Sequence, residues 1–334
     1  MQSQSKTKAV GLISGGLDST IAAKIIQDLG IEVYGVYFSM PWGCCHKTHA
    51  MEVCQKLGIH LVTLQLDERY LEIVKNPRFG RGTAMNPCVD CRIHMFSRAA
   101  KYMRQIGAKF VFTGEVLGQR PMSQKRQKMK IIEIESDLEG RLLRPLSAQV
   151  LDPTIVEQDG IVDRDKLLNL TGRSRKDQYR LAESFGIKEF SAPAGGCSLT
   201  DHNFSRRLQD TFEHGYRNFQ ETVALKWGRH FRFNQFYKCV LGRDENENNA
   251  LKHFAHQDDW IMQFEHQQGP TLVLKGENPP EEIFDLCAGL IKYFSKYKDL
   301  EPQNIKYWLC RNKNDVFERK SSQITENIVK EYAI

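Results

Sequence analysis

The sequence predicts an α/β fold, a parallel sheet with helices on both faces, followed by a smaller α+β domain. Apolar runs alternate with helix-like segments as far as residue 187, the pattern of strand–helix–strand units. The patterning weakens near residues 200–215, and the remainder of the chain mixes strand-like and helical segments. We therefore predict two domains, 1–205 and 206–334, in a chain of 334 residues, consistent with roughly 150 residues per domain.

Each element of the first domain is predicted from its local pattern. The predicted strands are short apolar runs, over 8–13, 31–38, 59–66 and 109–114. The predicted helices have helical apolar spacing, and two of them stop at a glycine; they cover 20–29, 48–58, 91–107 and 175–187. Ligands of such sheets bind at the carboxyl ends of the strands, so we expect the functional residues there.

The second domain is predicted from the same signals. Strand-like runs cover 232–242, 259–265, 270–276 and 305–310, and helical segments cover 246–254 and 280–297. We find no internal repeat and no low-complexity tract.

Composition limits the class of protein. Of the residues 41% are apolar and 26% charged, with no run of about 18 apolar residues and no secretory signal pattern. We therefore expect a cytoplasmic protein without a membrane partner. A net charge of +6 permits nucleic acid as a partner without requiring it. Nine cysteines, expected to be reduced in the cytosol, indicate metal binding or catalysis rather than a disulfide framework.

The turn between the first predicted strand and helix, within AVGLISGGLDSTIAA (9–23), has the composition of an anion site. Glycines let backbone N–H groups approach a ligand, hydroxyls donate hydrogen bonds, and the helix start adds partial positive charge. Asp18 fits beside an anion if it holds Mg²⁺. A polar turn with a helix cap is the alternative. The candidate pyrophosphate-binding residues are Ser14, Gly15, Gly16, Asp18, Ser19 and Thr20.

The string SGGLDS resembles the loop of the PP-loop ATP pyrophosphatases, an adenine nucleotide alpha hydrolase-like fold. That resemblance implies ATP cleavage between the α- and β-phosphates with Mg²⁺, and adenine beside Tyr37 and Phe38. The segment FTGEVLGQRPMSQ (112–124) resembles tRNA 4-thiouridine synthases of the ThiI type. This second resemblance adds Thr113, Gly114 and Gln119 to the expected nucleotide site.

Three cysteines are candidates for sulfur chemistry. Cys88 and Cys91 stand three apart at a predicted helix start, and Cys197 comes directly after two glycines. A helix start and Arg92 predict a lowered pKa for Cys91. The set is similar to that of PP-loop tRNA thiolases that hold a 4Fe–4S cluster, which predicts all three as ligands. A persulfide on Cys197, resolved by Cys91, is the competing hypothesis, and a plain redox or zinc pair is a third.

The second domain resembles the RNA-binding domain called NFACT-R over residues 228–276. The resemblance implies RNA contacts. The candidates for phosphate contacts are Arg229, Arg232, Arg243, Lys252 and Lys275, and those for base stacking are His230, Phe231 and Phe233. A solvated basic face over core aromatics is the alternative.

These resemblances imply an enzyme, an ATP-dependent tRNA sulfurtransferase that adenylates a uridine carbonyl and replaces its oxygen by sulfur. Asp18, Cys91 and Cys197 would be catalytic. 4-Thiouridine at position 8 is favoured, with 2-thiouridine at the anticodon wobble position as the enzyme alternative. An RNA-binding protein with an inert nucleotide pocket is the non-enzymatic alternative. The partners implied are tRNA and either inorganic sulfide or the persulfide of a cysteine desulfurase, and a homodimer is left open.

Overall fold

The computed structural model describes residues 6–40, 42, 47–187, 190, 197–216 and 219–334. They form two compact units, Met1–Asp201 and His202–Ile334. The predicted domain limit at residue 205 lies four residues beyond this division, inside the first helix of the second unit. Among the described residues, no helix is long and apolar enough to cross a lipid bilayer.

The first unit is built on a five-stranded parallel sheet, which confirms the predicted α/β class. Its strands lie in the order β3-β2-β1-β4-β5, and every pairing is parallel. Their bounds are β1 (Lys8–Leu12), β2 (Glu32–Ser39), β3 (His60–Gln65), β4 (Phe110–Thr113) and β5 (Leu142–Leu143). The strand order reverses at β1, so the carboxyl ends of β1 and β4 form the switch point.

Helices cover both faces of this sheet. They are α1 (Leu17–Asp28), α2 (Lys47–Leu57), α3 (Glu68–Lys75), α4 (Cys88–Gln105), α5 (Arg126–Glu135), α6 (Ile155–Gln158) and α7 (Lys176–Ser184). Successive strand residues point to opposite faces. Ala9 of β1 therefore packs with Ile21 of α1 in one core, while Val10 packs with Phe96 of α4 in the other.

The second unit is a six-stranded antiparallel sheet with helices, as the predicted α+β class requires. Its strands lie in the order β11-β10-β8-β9-β7-β6. They are β6 (Arg229–Arg232), β7 (Lys238–Leu241), β8 (Trp260–Phe264), β9 (Leu272–Lys275), β10 (Asn304–Leu309) and β11 (Asn312–Lys320). Its helices are α8 (His202–His214), α9 (Phe219–Ala224), α10 (Glu245–Phe254), α11 (Glu281–Tyr293) and α12 (Glu326–Tyr332). Leu290 of α11 contributes to one core of this unit and Leu251 of α10 to another.

One prediction of local structure was wrong in the second unit, and one stretch left without a prediction is a helix. Residues 232–242, predicted as one strand, belong to the hairpin β6–β7, because the Asn234 side chain accepts hydrogen bonds from the backbone N–H groups of Phe236 (2.8 Å) and Tyr237 (3.0 Å) and turns the chain. The stretch with weak patterning is the helix α8, which buries Phe204 and Leu208 on one side.

Candidate active site

The glycine-rich turn leads from β1 into α1. Gly15 has a φ of 77°, a backbone conformation that disfavours other residues, and Gly16 is the residue before the helix. The hydroxyls of Ser19 and Thr20 donate to the Gly16 carbonyl oxygen at 2.9 and 3.0 Å, and the Ser14 amide lies 3.3 Å from Ser19 Oγ. These contacts hold the first amides of α1 in place, where an N-terminal helix end attracts an anion.

Among the described residues, only one of the two carboxylate oxygens of Asp18 has a hydrogen-bond partner. Its Oδ2 accepts a hydrogen bond from Gln119 Nε2 at 2.8 Å and lies 3.9 Å from Arg175 Nη2. Its Oδ1 is buried and has no hydrogen-bond partner among the described residues. A buried carboxylate oxygen without a donor suits a hard divalent cation such as Mg²⁺, so Asp18 fits the role that the sequence predicts for it.

The segment after β4 is held by buried charges that the sequence analysis did not identify. Glu115 Oε1 forms an ion pair with Arg92 Nη1 at 2.8 Å, and Glu115 Oε2 accepts a hydrogen bond from Arg144 Nε at 3.2 Å. Arg144 also contacts Glu133 at 3.1 Å and donates to the Met129 carbonyl oxygen at 3.1 Å. Paired and hydrogen-bonded in this way, the charges tolerate burial and fix the edge of the site.

Two of the three candidate thiols stand on α4. Cys88 is its first residue and Cys91 lies one turn later. The hydroxyl of Tyr70 on α3 donates to Cys91 Sγ at 3.4 Å. The predicted lowering of the Cys91 pKa was wrong: burial raises it to about 12, against the smaller lowering effects of the Tyr70 hydrogen bond and the Arg92 charge.

One cavity of about 280 Å³ joins the turn, the ends of β2 and β4, and the thiols. This volume is near the lower end of small-molecule pockets. The predicted site residues on its wall are Ser14, Gly16, Asp18, Ser19, Tyr37, Phe38, Cys88, Cys91, Thr113, Gly114, Gln119 and Cys197. Gly15 and Thr20 are not on the wall, and Thr20 is buried.

The three thiols line the same cavity. In the part of the chain that is described, no three His, Cys, Asp or Glu side chains stand close enough together to hold a metal ion. Thiols are the donors that an iron–sulfur cluster requires, so Cys88, Cys91 and Cys197 remain its predicted ligands. Cys44, Cys45 and His46 lie outside the described residues.

In the second unit, most of the candidate RNA contacts have protein partners. Phe231 is 2% exposed and His230 is 3% exposed, so the predicted stacking of bases on these two side chains was wrong. Arg232 forms two hydrogen bonds of 2.9 Å with Asp210, and Lys275 contacts Glu221 at 2.8 Å. The alternative, a basic face over core aromatics, describes these residues better.

Comparison with known families gives two matches along the chain. Residues 7–139 match the family described as the tRNA methyl transferase HUP domain. Residues 228–333 match the NFACT protein RNA binding domain. The two matches cover separate parts of the chain, one in each structural unit.

Curated relatives are similar over part of their lengths. A tRNA-specific 2-thiouridylase MnmA of Sulfurimonas denitrificans is 31% identical over 157 residues, 42% of this chain and 46% of that protein. The MnmA of Caldicellulosiruptor saccharolyticus is 27% identical over 261 residues, 71% of this chain and 68% of that protein. The matched segments thus span from 46% to 68% of the length of these two relatives.

A solved structure is similar at a lower level. The U34-tRNA thiolase NcsA of Methanococcus maripaludis, solved with its [4Fe-4S] cluster, is 18% identical with a TM-score of 0.32. The match covers 63% of this chain and 74% of that one.

Proposed function

We propose that the protein is an ATP-dependent tRNA uridine sulfurtransferase. The proposal is supported by the match of residues 7–139 to the tRNA methyl transferase HUP domain and of residues 228–333 to the NFACT protein RNA binding domain. The observation that carries the proposal is the single cavity lined by Ser14, Asp18 and the three cysteines. A nucleotide held by the turn and a sulfur held by a thiol would meet in it.

The first step is adenylation. The uracil carbonyl oxygen attacks the α-phosphorus of ATP, a P–O bond forms, N3 loses its proton, and pyrophosphate leaves. The amides at the start of α1 stabilise the charge that develops on pyrophosphate. Asp18 Oδ1 would hold Mg²⁺, which neutralises phosphate charge when bound.

The second step transfers sulfur. The terminal sulfur of a persulfide on Cys197 attacks the activated carbon, and AMP leaves with the bonding electron pair. Cys91 Sγ then attacks Cys197 Sγ, its thiol proton passes to the departing thiouridine and restores the N3 proton, and a Cys91–Cys197 disulfide forms. A cellular reductant restores the two thiols. Both cysteines line the same cavity.

The 4Fe–4S cluster on Cys88, Cys91 and Cys197 stays a prediction. The shared cavity and the thiol donors support it, although no three His, Cys, Asp or Glu side chains among the described residues form a site for a single metal ion. Iron and acid-labile sulfide, measured after anaerobic purification, separate the two sulfur carriers. Stoichiometric iron that disappears in Cys88→Ala would support the cluster, and an iron-free active protein would support the persulfide.

The position of the sulfur has two candidates. The segment 112–124, with its resemblance to 4-thiouridine synthases, supports C4 of a uridine at position 8. The relatives named tRNA-specific 2-thiouridylases support C2 of the wobble uridine. 4-Thiouridine and 2-thiouridine are isomers of equal mass, so chromatographic retention and ultraviolet absorbance of the nucleosides, compared with standards, distinguish them.

The RNA partner is supported by features of both units. Arg120, Lys125 and Arg126 come after β4 and are exposed, and Arg120 is also on the cavity wall. Phosphate contacts by such side chains would guide a tRNA to the site. In the second unit the support comes from the family match over residues 228–333.

The deciding experiment combines unmodified tRNA transcripts, ATP and a sulfide or persulfide donor. We expect AMP, pyrophosphate and thiolated uridine from the wild type, and no thiolated uridine from Cys91→Ser or Cys197→Ser. Cys310→Ser, in the second unit, is the matched control and should retain activity. If the wild type releases neither AMP nor pyrophosphate with any transcript, the non-enzymatic alternative replaces this proposal.

A further inference from the structure

The second unit has a cavity of its own, of about 400 Å³. Its wall is formed by α8, α9, the hairpin β6–β7 and the end of β9. The residues that matter to its chemistry are His230, Arg232, Phe236 and Lys238. None of them belongs to the candidate active site, and the cavity has the size of a small-molecule pocket.

The wall of this cavity carries two cations that share one carboxylate. Lys238 is 6% exposed, and its Nζ lies 2.7 Å from Asp210 Oδ2. Arg232 donates two hydrogen bonds of 2.9 Å to the same carboxylate. Burial lowers the pKa of Lys238 to about 8, although Asp210 acts to raise it. Around neutral pH this group of three has one positive charge in excess, but the same wall also carries Lys275 and the carboxylates of Glu221, Asp258 and Glu277.

His230 adds an unused hydrogen-bond acceptor. Its Nε2 lies 2.8 Å from the Trp227 carbonyl oxygen, which can only accept, so Nε2 carries the proton. Its Nδ1 then has a lone pair, is buried, and has no partner among the described residues. Burial and the charge of Lys238 lower the His230 pKa well below its usual value, so the ring is neutral. A buried acceptor without a donor is costly unless a ligand supplies an N–H.

The mouth of the cavity carries an aromatic ring. Phe236 stands in the β6–β7 turn, is 66% exposed, and contributes to the cavity wall. An exposed ring offers a flat apolar face that a second ring can cover. A nucleobase supplies what these groups lack: a flat face for Phe236 and an N–H for His230 Nδ1.

We propose that this cavity holds one unstacked nucleotide of an RNA strand, with its base against Phe236 and a base N–H donated to His230 Nδ1. The inference rests on RNA being the partner, as the proposed function has it. The base is bound as part of the strand, so an isolated nucleotide should compete only weakly. RNA recognition by the second unit then depends on an unpaired residue and not on duplex shape.

The test measures binding of the full-length protein to a fluorescein-labelled single-stranded RNA of eight nucleotides and to the same sequence in a duplex. Phe236→Ala should weaken single-strand binding by about 5- to 150-fold, the range for one stacked base. It should leave duplex binding unchanged. Leu300→Ala, which removes another exposed apolar side chain of this unit, is the matched control and should bind as the wild type does. Competition with uridine monophosphate distinguishes a strand site from a free-nucleotide site.

Photocrosslinking locates the base without relying on a variant. A strand with one 5-iodouridine should crosslink to the peptide that contains Phe236 and lose that crosslink in Phe236→Ala. Equal single-strand binding by Phe236→Ala and Leu300→Ala, or crosslinks confined to other peptides, would overturn the inference. Uridine monophosphate that competes as well as the strand would also overturn it. Thiolation of a transcript by the wild type tests the proposed function separately, so the two failures can be told apart.

Discussion

Replacing Gly114 by Ala tests whether the end of β4 must touch the start of α1. A Cβ atom at Gly114 would lie 2.4 Å from the Asp18 carbonyl carbon and 2.5 Å from both the Asp18 oxygen and the Ser19 nitrogen. Carbon atoms in contact prefer a separation of about 3.5–4.0 Å. The three obstructing atoms are backbone atoms, so they cannot rotate away as a side chain would. The start of α1 must therefore retreat from β4 by about 1 Å.

That displacement should affect catalysis more than folding. A misplacement of about 1 Å in a catalytic arrangement can cost roughly 100-fold in rate, or about 2.7 kcal/mol of barrier. Overpacking of this kind typically lowers the free energy of unfolding by about 1–3 kcal/mol. We therefore expect kcat/KM for pyrophosphate release to fall by about 100-fold in a protein that still folds. A coupled pyrophosphate assay with tRNA measures the rate, and urea unfolding measures the stability.

Gly82→Ala is the matched control for this substitution. The nearest atom to a Cβ there is Met122 Cγ at 3.2 Å, in the middle of a flexible side chain. Its activity should stay within a factor of about two of the wild type, because a methionine can adjust its torsions. If Gly114→Ala keeps wild-type activity, or if Gly82→Ala loses as much, the close approach of β4 to α1 does not matter to the reaction.

Three further outcomes are expected. Tyr70→Phe removes the hydroxyl that donates to Cys91 Sγ. The rate of thiolation should fall by about 10- to 100-fold, while the rate of pyrophosphate release should not change. Equal losses in the two assays would contradict this expectation. Asp18→Asn keeps an oxygen that can accept from Gln119 but loses the negative charge. The rate of pyrophosphate release should fall by about 100-fold or more. An unchanged rate would rule out Mg²⁺ binding by Asp18. Burial lowers the pKa of Lys238 to about 8, below its value of about 10.4 in the unfolded chain. The unfolded chain therefore binds more protons between these values, so stability to urea should rise from about pH 8 to about pH 10, and Lys238→Met should lack that rise.

The parts of the fold that were predictable are those with a strong local pattern. The first four strands of the first unit are apolar runs, and the turn before α1 is marked by glycines. The helix α3 was missed, although Tyr70, Leu71 and Val74 have helical spacing and Asp67 precedes them as its cap. The strand β11 gave no signal because seven consecutive residues of it are exposed.

The site was predictable as a set of residues but not as an environment. Glycines, hydroxyls and thiols are visible in the sequence, and their meeting at one sheet edge is expected from parallel topology. The depth at which Cys91 is buried is not visible, so the direction of its pKa shift was wrong. The contact of Tyr70 with Cys91 joins residues 21 positions apart on different helices, which a local pattern cannot reveal.

The chain of charges from Arg92 through Glu115 and Arg144 to Glu133 limits how this protein can evolve. Glu115, Arg144 and Glu133 are all buried, and each is neutralised by another member of the chain. Exchanging one alone strands its partner's charge in the interior at a cost of about 3–5 kcal/mol, whereas exchanging the group for apolar residues need not destabilise the fold. Substitutions at these four positions should therefore occur together. Few stable sequences should exist in which only some of the four charged residues have been replaced by apolar ones.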